Sequence, residues 1–152
     1  MKKISANQIA WLLPIAYLLH LIDEYFSGEG FHNWFSEIFN VNLSLNDFIL
    51  INSIGFAATL AIAILYNYNK VNNFIIAVLG TLFFINGLVH IAATVITASY
   101  SPGTISGIFV YLPLGYIIFK KIYSLIPQQQ RFLPVVIGII IQIVVAMVAL
   151  NI

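Results

Sequence analysis

The chain has 152 residues, of which 61% are hydrophobic and only 7% charged, with a formal net charge of +1. Soluble domains average about 25% charged residues. No soluble fold of this length hides so much apolar surface, so this is the sequence of an integral membrane protein with room for one helical domain. The near-neutral balance gives no footing for nucleic acid, and the absence of cysteine excludes disulfides and thiolate metal sites.

Met1-Lys2-Lys3 followed by an apolar run is similar to a signal peptide. No small-residue cleavage site precedes the first polar cluster, so the run is read as an uncleaved first span. Five apolar runs follow one another at 8–26, 48–66, 74–99, 104–123 and 132–150. Each is near the ~20 residues a helix needs to cross hydrocarbon. The expected fold is therefore all-α: a polytopic bundle of five transmembrane helices forming a single domain over 1–152. The fourth run carries Gly107, Pro113 and Gly115 and is the least regular.

The first run ends on His20-Leu21-Ile22-Asp23-Glu24. Titratable groups in hydrocarbon are costly, at least ~2.5–3.5 kcal/mol for a charge at the bilayer centre, and mark function by default. Positions three and four apart share a helix face, so His20 stands beside both carboxylates.

Between the first two spans, Phe31, Trp34, Phe35, Ile38 and Phe39 recur at helical spacing, with His32, Asn33 and Glu37 between them. That pattern predicts a short amphipathic helix lying in the interface and anchored by Trp34, with His32 at the surface. Ser44-Leu45-Asn46-Asp47 predicts the cap that starts span two, a structural duty for Asp47. On span three, Asn86, His90 and Thr94 repeat every four residues as one polar stripe. Tyr100-Ser101-Pro102-Gly103 is a tight turn. Tyr66, Tyr68, Tyr116 and Tyr123 read as belt or lipid-facing residues.

All six basic residues, Lys2, Lys3, Lys70, Lys120, Lys121 and Arg131, fall on one side of a five-span chain, and the five carboxylates lie at the other. The positive-inside rule puts the N-terminus in the cytoplasm and the C-terminus outside. The expected location is the cytoplasmic membrane of a prokaryote.

His20 lies six residues before the end of its run and His90 nine before Ser99. At 1.5 Å per residue both sit ~9–13 Å below the outer boundary, where they can meet. His20, Asp23, Glu24 and His90 are the candidate catalytic residues. His20, Glu24 and His90 are the candidate ligands of a divalent metal such as zinc, iron or manganese, which imidazole and carboxylate suit. A metal-free acid/base set is the alternative, since neighbouring carboxylates push their pKa values apart. Asn86 would orient His90 through its other ring nitrogen. Asn52, Tyr100 and Tyr111 complete the candidate binding residues, with Ser53 and Gln142 as further polar groups for a pocket opening outward. The competing explanation is that these polar groups are interhelical glue.

His20-x-x-Asp23-Glu24, followed by Asn86-x-x-x-His90 and Tyr100-x-Pro102-Gly103, resembles the two motif blocks of the small membrane proteins named for H-x-x-E-E. The resemblance covers roughly 10–125, with Trp34 where that family places an aromatic and Asp23 in place of the first glutamate. It implies a membrane location and a His/acidic site, without an activity. The favoured function is a membrane-embedded enzyme acting on a lipid or other amphipathic small molecule. The alternatives are a small-molecule or ion-binding protein related to transport, and an accessory subunit. Membrane lipid is the expected partner, and a homo-oligomer is left open.

The orientation is testable directly. A tag at Asn33 is expected to react with a membrane-impermeant reagent on intact cells and a tag at Gln129 is not; the reverse pattern, or equal labelling, refutes it.

Overall fold

The computed structural model describes residues 4–151. Met1, Lys2 and Lys3, on which part of the charge pattern rests, lie outside the described residues. Every regular element among the described residues is helical, and five helices are long and apolar enough to cross a bilayer. Span one is Ala6–Phe26, span two Leu45–Asn67, span three Asn73–Thr97, span four Thr104–Leu125 and span five Phe132–Leu150. A short helix, Phe31–Phe39, joins spans one and two.

Local chemistry starts the helices. Ser5 and Gln8 form a reciprocal capping box at span one. The Ser44 hydroxyl accepts the Asp47 N–H and donates to the Asp47 carboxylate, which is the structural duty read for that residue. Asn72 caps span three through the Phe74 N–H at 3.1 Å.

The spans pack in the order two, one, four, three, five, so spans two and five are each held mainly by one neighbour. With no hydrophobic drive between helices in lipid, close approach at small residues does the work. Spans three and four touch backbone to backbone at Gly87 and Gly107, where a Cβ on Gly87 would lie 3.1 Å from the Gly107 carbonyl oxygen. The tyrosine of span one at position 17 occupies the space that a side chain at Gly55 of span two would need.

Span four is irregular, as its Gly107 and Pro113 suggest. After a first turn at Thr104–Ser106 it widens into a π-turn over Gly107–Tyr111, then resumes as α-helix over Leu112–Lys121. The Leu112 N–H reaches back five residues to the Gly107 carbonyl.

The short helix closes one end of the bundle. Trp34 and Phe35 are buried against Leu43 and Ala149, beside Ile51 and Ala93. Trp34 therefore differs from the expected interfacial anchor: its ring is inside the protein, and its Nε1–H donates to the Ser99 hydroxyl at 3.0 Å. His32 is only half-exposed, with its ring 5.9 Å from that of Phe48. Tyr66 and Tyr123 are likewise buried instead of lying in a belt, because each hydroxyl has a partner inside, Asn73 at 2.6 Å and Thr81 at 2.7 Å. Tyr68 and Tyr116 are exposed.

Trp34→Ala removes both the packing and the Ser99 bond. A cost of about 3 kcal/mol or more is expected, seen as a lower thermal midpoint and faster proteolysis within 27–44. Unchanged cleavage there would contradict the plugging role.

Candidate functional site

His20 and Glu24, one helical turn apart on span one, are both buried, and so is His90 on span three. Their polar ends meet at one point. The Glu24 Oε1 lies 3.4 Å from His20 Nε2 and 3.3 Å from His90 Nε2. The two rings stand edge to face with centroids 4.9 Å apart. The three donor atoms lie within 4.8 Å of one another.

The far side of each ring is held by a serine. Ser106 Oγ lies 2.7 Å from His20 Nδ1, and Ser101 Oγ 3.1 Å from His90 Nδ1. Ser101 comes from the turn that links spans three and four, and Ser106 from the first turn of span four. The turn at 101–104 is tied down by Thr94, which accepts the Ser101 N–H at 3.0 Å and pairs with the Thr104 hydroxyl at 2.9 Å. Thr104 also donates to the Ser101 carbonyl at 2.6 Å. Gly103, at φ +99, passes directly over the rings: a Cβ there would lie 2.8 Å from His90 Cε1 and 3.0 Å from His20 Cε1.

The π-turn explains how one helix presents two groups to the same ring. Residues five apart lie about 140° apart around an α-helix, but a π-turn brings them onto one face. Ser106 thus bonds the edge of His20 while Tyr111 stacks on its plane, with centroids 4.2 Å apart at 26°. Phe83 stacks on the other side of Tyr111 at 4.4 Å. Phe31 of the short helix covers His90 at 5.4 Å. The site is a polar point walled by aromatic rings.

Asp23 stands outside the trio. Its Oδ2 accepts the Ser106 N–H and the Ser106 hydroxyl, both at 2.7 Å. Its Oδ1 accepts from Ser27 at 2.5 Å and from Tyr100 at 3.4 Å. Burial pushes the Tyr100 phenol above its ordinary pKa and the Asp23 charge adds to the shift, so the hydroxyl keeps the proton it donates.

Residues 11–118 match a family model described as a protein of unknown function with HXXEE motif. The chain belongs to the HXXEE family. His20, Asp23 and Glu24 occupy the motif for which the HXXEE family is named, and the matched range also takes in His90, Ser101 and Ser106. No curated protein and no solved structure matched the chain.

Within this HXXEE fold the other expected site residues separate. Asn86 does not orient His90. Its place is taken by Ser101, because the turn folds back over the helix end and reaches the ring's free nitrogen, leaving the buried Asn86 Oδ1 with no partner among the described residues. Tyr100 is at the exposed edge, bonded to Asp23 and not to the trio. Asn52 accepts the Tyr17 hydroxyl at 3.0 Å and, with Ser53, lines an apolar groove between spans one and two that contains none of the trio. Gln142 is on span five, which packs on span three and away from span one. Tyr111 does join the site. Ser101, Ser106, Gly103, Phe31 and Phe83 are additions: Ser101 and Gly103 lay within a recognised motif block, while Ser106 carried no signal beyond a hydroxyl at the start of an irregular span.

Gly103→Ala is expected to cost clearly more than Gly28→Ala. Both positions have positive φ, which strains any side chain by about 1–3 kcal/mol, but a Cβ on Gly28 would meet only ordinary van der Waals contact, its nearest neighbour being the Tyr100 ring at 3.7 Å. Thermal midpoints of the two variants check this, and equal losses would show that Gly103 does not crowd the histidines.

Proposed function

We propose that this HXXEE protein is a membrane-embedded enzyme built on a divalent-metal centre held by His20, Glu24 and His90. Its substrate is a lipid or another amphipathic small molecule, met in the outer half of the bilayer.

The observation that carries this is the convergence of three buried donor atoms, all within 4.8 Å of one another. The 3.3–3.4 Å contacts exceed the usual 2.7–3.2 Å of an N–H···O bond. They match instead the separation of about 3.3 Å between two atoms that each sit about 2.0–2.1 Å from one tetrahedral ion, and the third pair of donors, within 4.8 Å, closes to that separation by a small shift of the imidazole rings when an ion binds. Charge supports the same reading. A carboxylate as deeply buried as Glu24 is expensive without a positive partner, and no lysine or arginine stands in an ion pair with it among the described residues. Two imidazoles and one carboxylate suit zinc, iron or manganese, and soft thiolate-seeking metals find no sulfur ligand here.

Three protein ligands are the donor count of catalytic sites, which leave a further position for water or substrate and supply an activated water at neutral pH. The chain's own residues do the rest. Ser101 and Ser106 hold the rings, Phe31, Phe83 and Tyr111 keep bulk water away, and the apolar exterior delivers a membrane-dissolved substrate. The basic residues at the opposite end of the bundle support an outward-facing site.

The test is metal content. Protein purified without chelator is expected to carry about one equivalent of zinc, iron or manganese. His20→Ala, His90→Ala and Glu24→Gln are expected to lose it, and His32→Ala to keep it. A wild-type protein that takes up none of the three metals, or a His90→Asn variant that binds as well as wild type, would leave interhelical hydrogen bonding as the role of these residues.

A further inference from the structure

We infer that Asp23 is a positioning residue, and that it acts through Ser106 to fix the proton of His20 on Nδ1 and leave Nε2 bare. In its bearing on metal binding the inference rests on the centre proposed above; the protonation of the ring does not.

Proton counting leads there. A serine hydroxyl carries one proton. The Ser106 Oγ stands 2.7 Å from Asp23 Oδ2 and 2.7 Å from His20 Nδ1. Were the proton given to His20, the hydroxyl's lone pairs would face a carboxylate oxygen at hydrogen-bond distance with nothing between them. Given to Asp23, the proton satisfies the carboxylate, and the Ser106 oxygen then needs a donor from His20. The other acceptor in reach, the Gly103 carbonyl at 3.1 Å, changes nothing for the ring. In each favourable arrangement His20 Nδ1 bears the hydrogen.

The consequence appears at the opposite side of the ring. Nε2 presents a lone pair toward Glu24 Oε1 at 3.4 Å. It is buried and has no hydrogen-bond partner among the described residues. In the neutral ring two acceptors face each other across a space that a metal ion relieves, the alternative being a second proton on Nε2 paired with Glu24. The same chain of bonds explains why Asp23 is not itself a ligand. Both of its oxygens are occupied, Oδ2 by the two Ser106 donors and Oδ1 by Ser27 and Tyr100.

The order of residues in the motif then has a physical reason. Neighbouring residues on a helix point about 100° apart. Glu24 therefore faces His90 of span three while Asp23 faces the first turn of span four. One carboxylate completes the donor set, and the other controls the ring between them. Ligating histidines ordinarily have such a partner on the second nitrogen, and its loss costs about 10- to 100-fold in metal affinity.

The experiment uses the full chain in detergent, labelled with ¹⁵N-histidine. Three histidines are present, so His32→Gln and His90→Gln assign the spectrum. In metal-free protein His20 is expected with its hydrogen on Nδ1, in wild type and in Asp23→Glu, which keeps the carboxylate. Ser106→Ala is expected to mix the two tautomers. In a parallel zinc titration, Asp23→Ala and Ser106→Ala are expected to bind about 10- to 100-fold more weakly than wild type, with Asp23→Glu restoring most of the affinity and His20→Ala binding none. A wild-type His20 protonated on Nε2 overturns the inference even if the alanine variants fail to fold. So does an unchanged tautomer in Ser106→Ala, or an Asp23→Ala variant as dead to zinc as His20→Ala while its His20 keeps the Nδ1 hydrogen. If wild type binds no zinc but its His20 carries the hydrogen on Nδ1, the metal centre falls and the positioning of the ring stands.

Discussion

The structure depends on a carboxylate buried inside a bundle of apolar helices. Glu24 is buried between two imidazoles, one from its own helix and one from span three. Burying a charge is tolerable only when it is paired and hydrogen-bonded, so the helices around Glu24 must bring those partners in and hold them. Span one supplies His20 by its own periodicity. His90 must come from a helix that barely touches span one, and span four, packed on both, sets that distance. The Gly87–Gly107 contact lets spans three and four approach closely enough to do so.

The segment from Ser101 to Tyr111 is the device that sets the two rings. It opens with a turn clamped by Thr94 and Thr104, passes a glycine over both rings, and continues into a π-turn that gives His20 an edge partner and a stacking partner. Such single wide turns are frequent at functional sites, and this one has a specific use. The short helix finishes the enclosure. Phe31 lies on His90, and Trp34 bonds the Ser99 hydroxyl just before the same turn. Covering ring and covering helix are thus fastened to the segment that orients the histidines.

Much of this was legible from the residues alone. His20, Glu24 and His90 stand out because a titratable group inside an apolar run is costly, and counting residues back from the ends of two helices that run the same way let them meet, as they do. The helical phase of the short segment was legible too, but not its environment. Periodicity separates an apolar face from a polar one, and in a membrane protein both lipid and core are apolar, so Trp34 read as an anchor when its ring is inside. Asn86 read as the partner of His90 because it lies one turn away on the same helix; the actual partner, Ser101, arrives by a chain reversal that no spacing rule encodes. Ser106 was invisible for a related reason. Serine is common in membrane helices, and only the tertiary approach of Asp23 and His20 gives it a role. Gly107 and Pro113 announced an irregular helix without saying which way it would turn.

X-ray absorption at the zinc edge of the zinc-loaded protein tests the central claim most directly, since it reads the ligands of the ion itself. A low-coordinate shell with two imidazole nitrogens at about 2.0–2.1 Å and carboxylate oxygen at about 2.0–2.2 Å is expected, reduced to one imidazole in His90→Ala. A shell of oxygen atoms alone, or one that His90→Ala leaves unchanged, would contradict a shared centre on His20, Glu24 and His90.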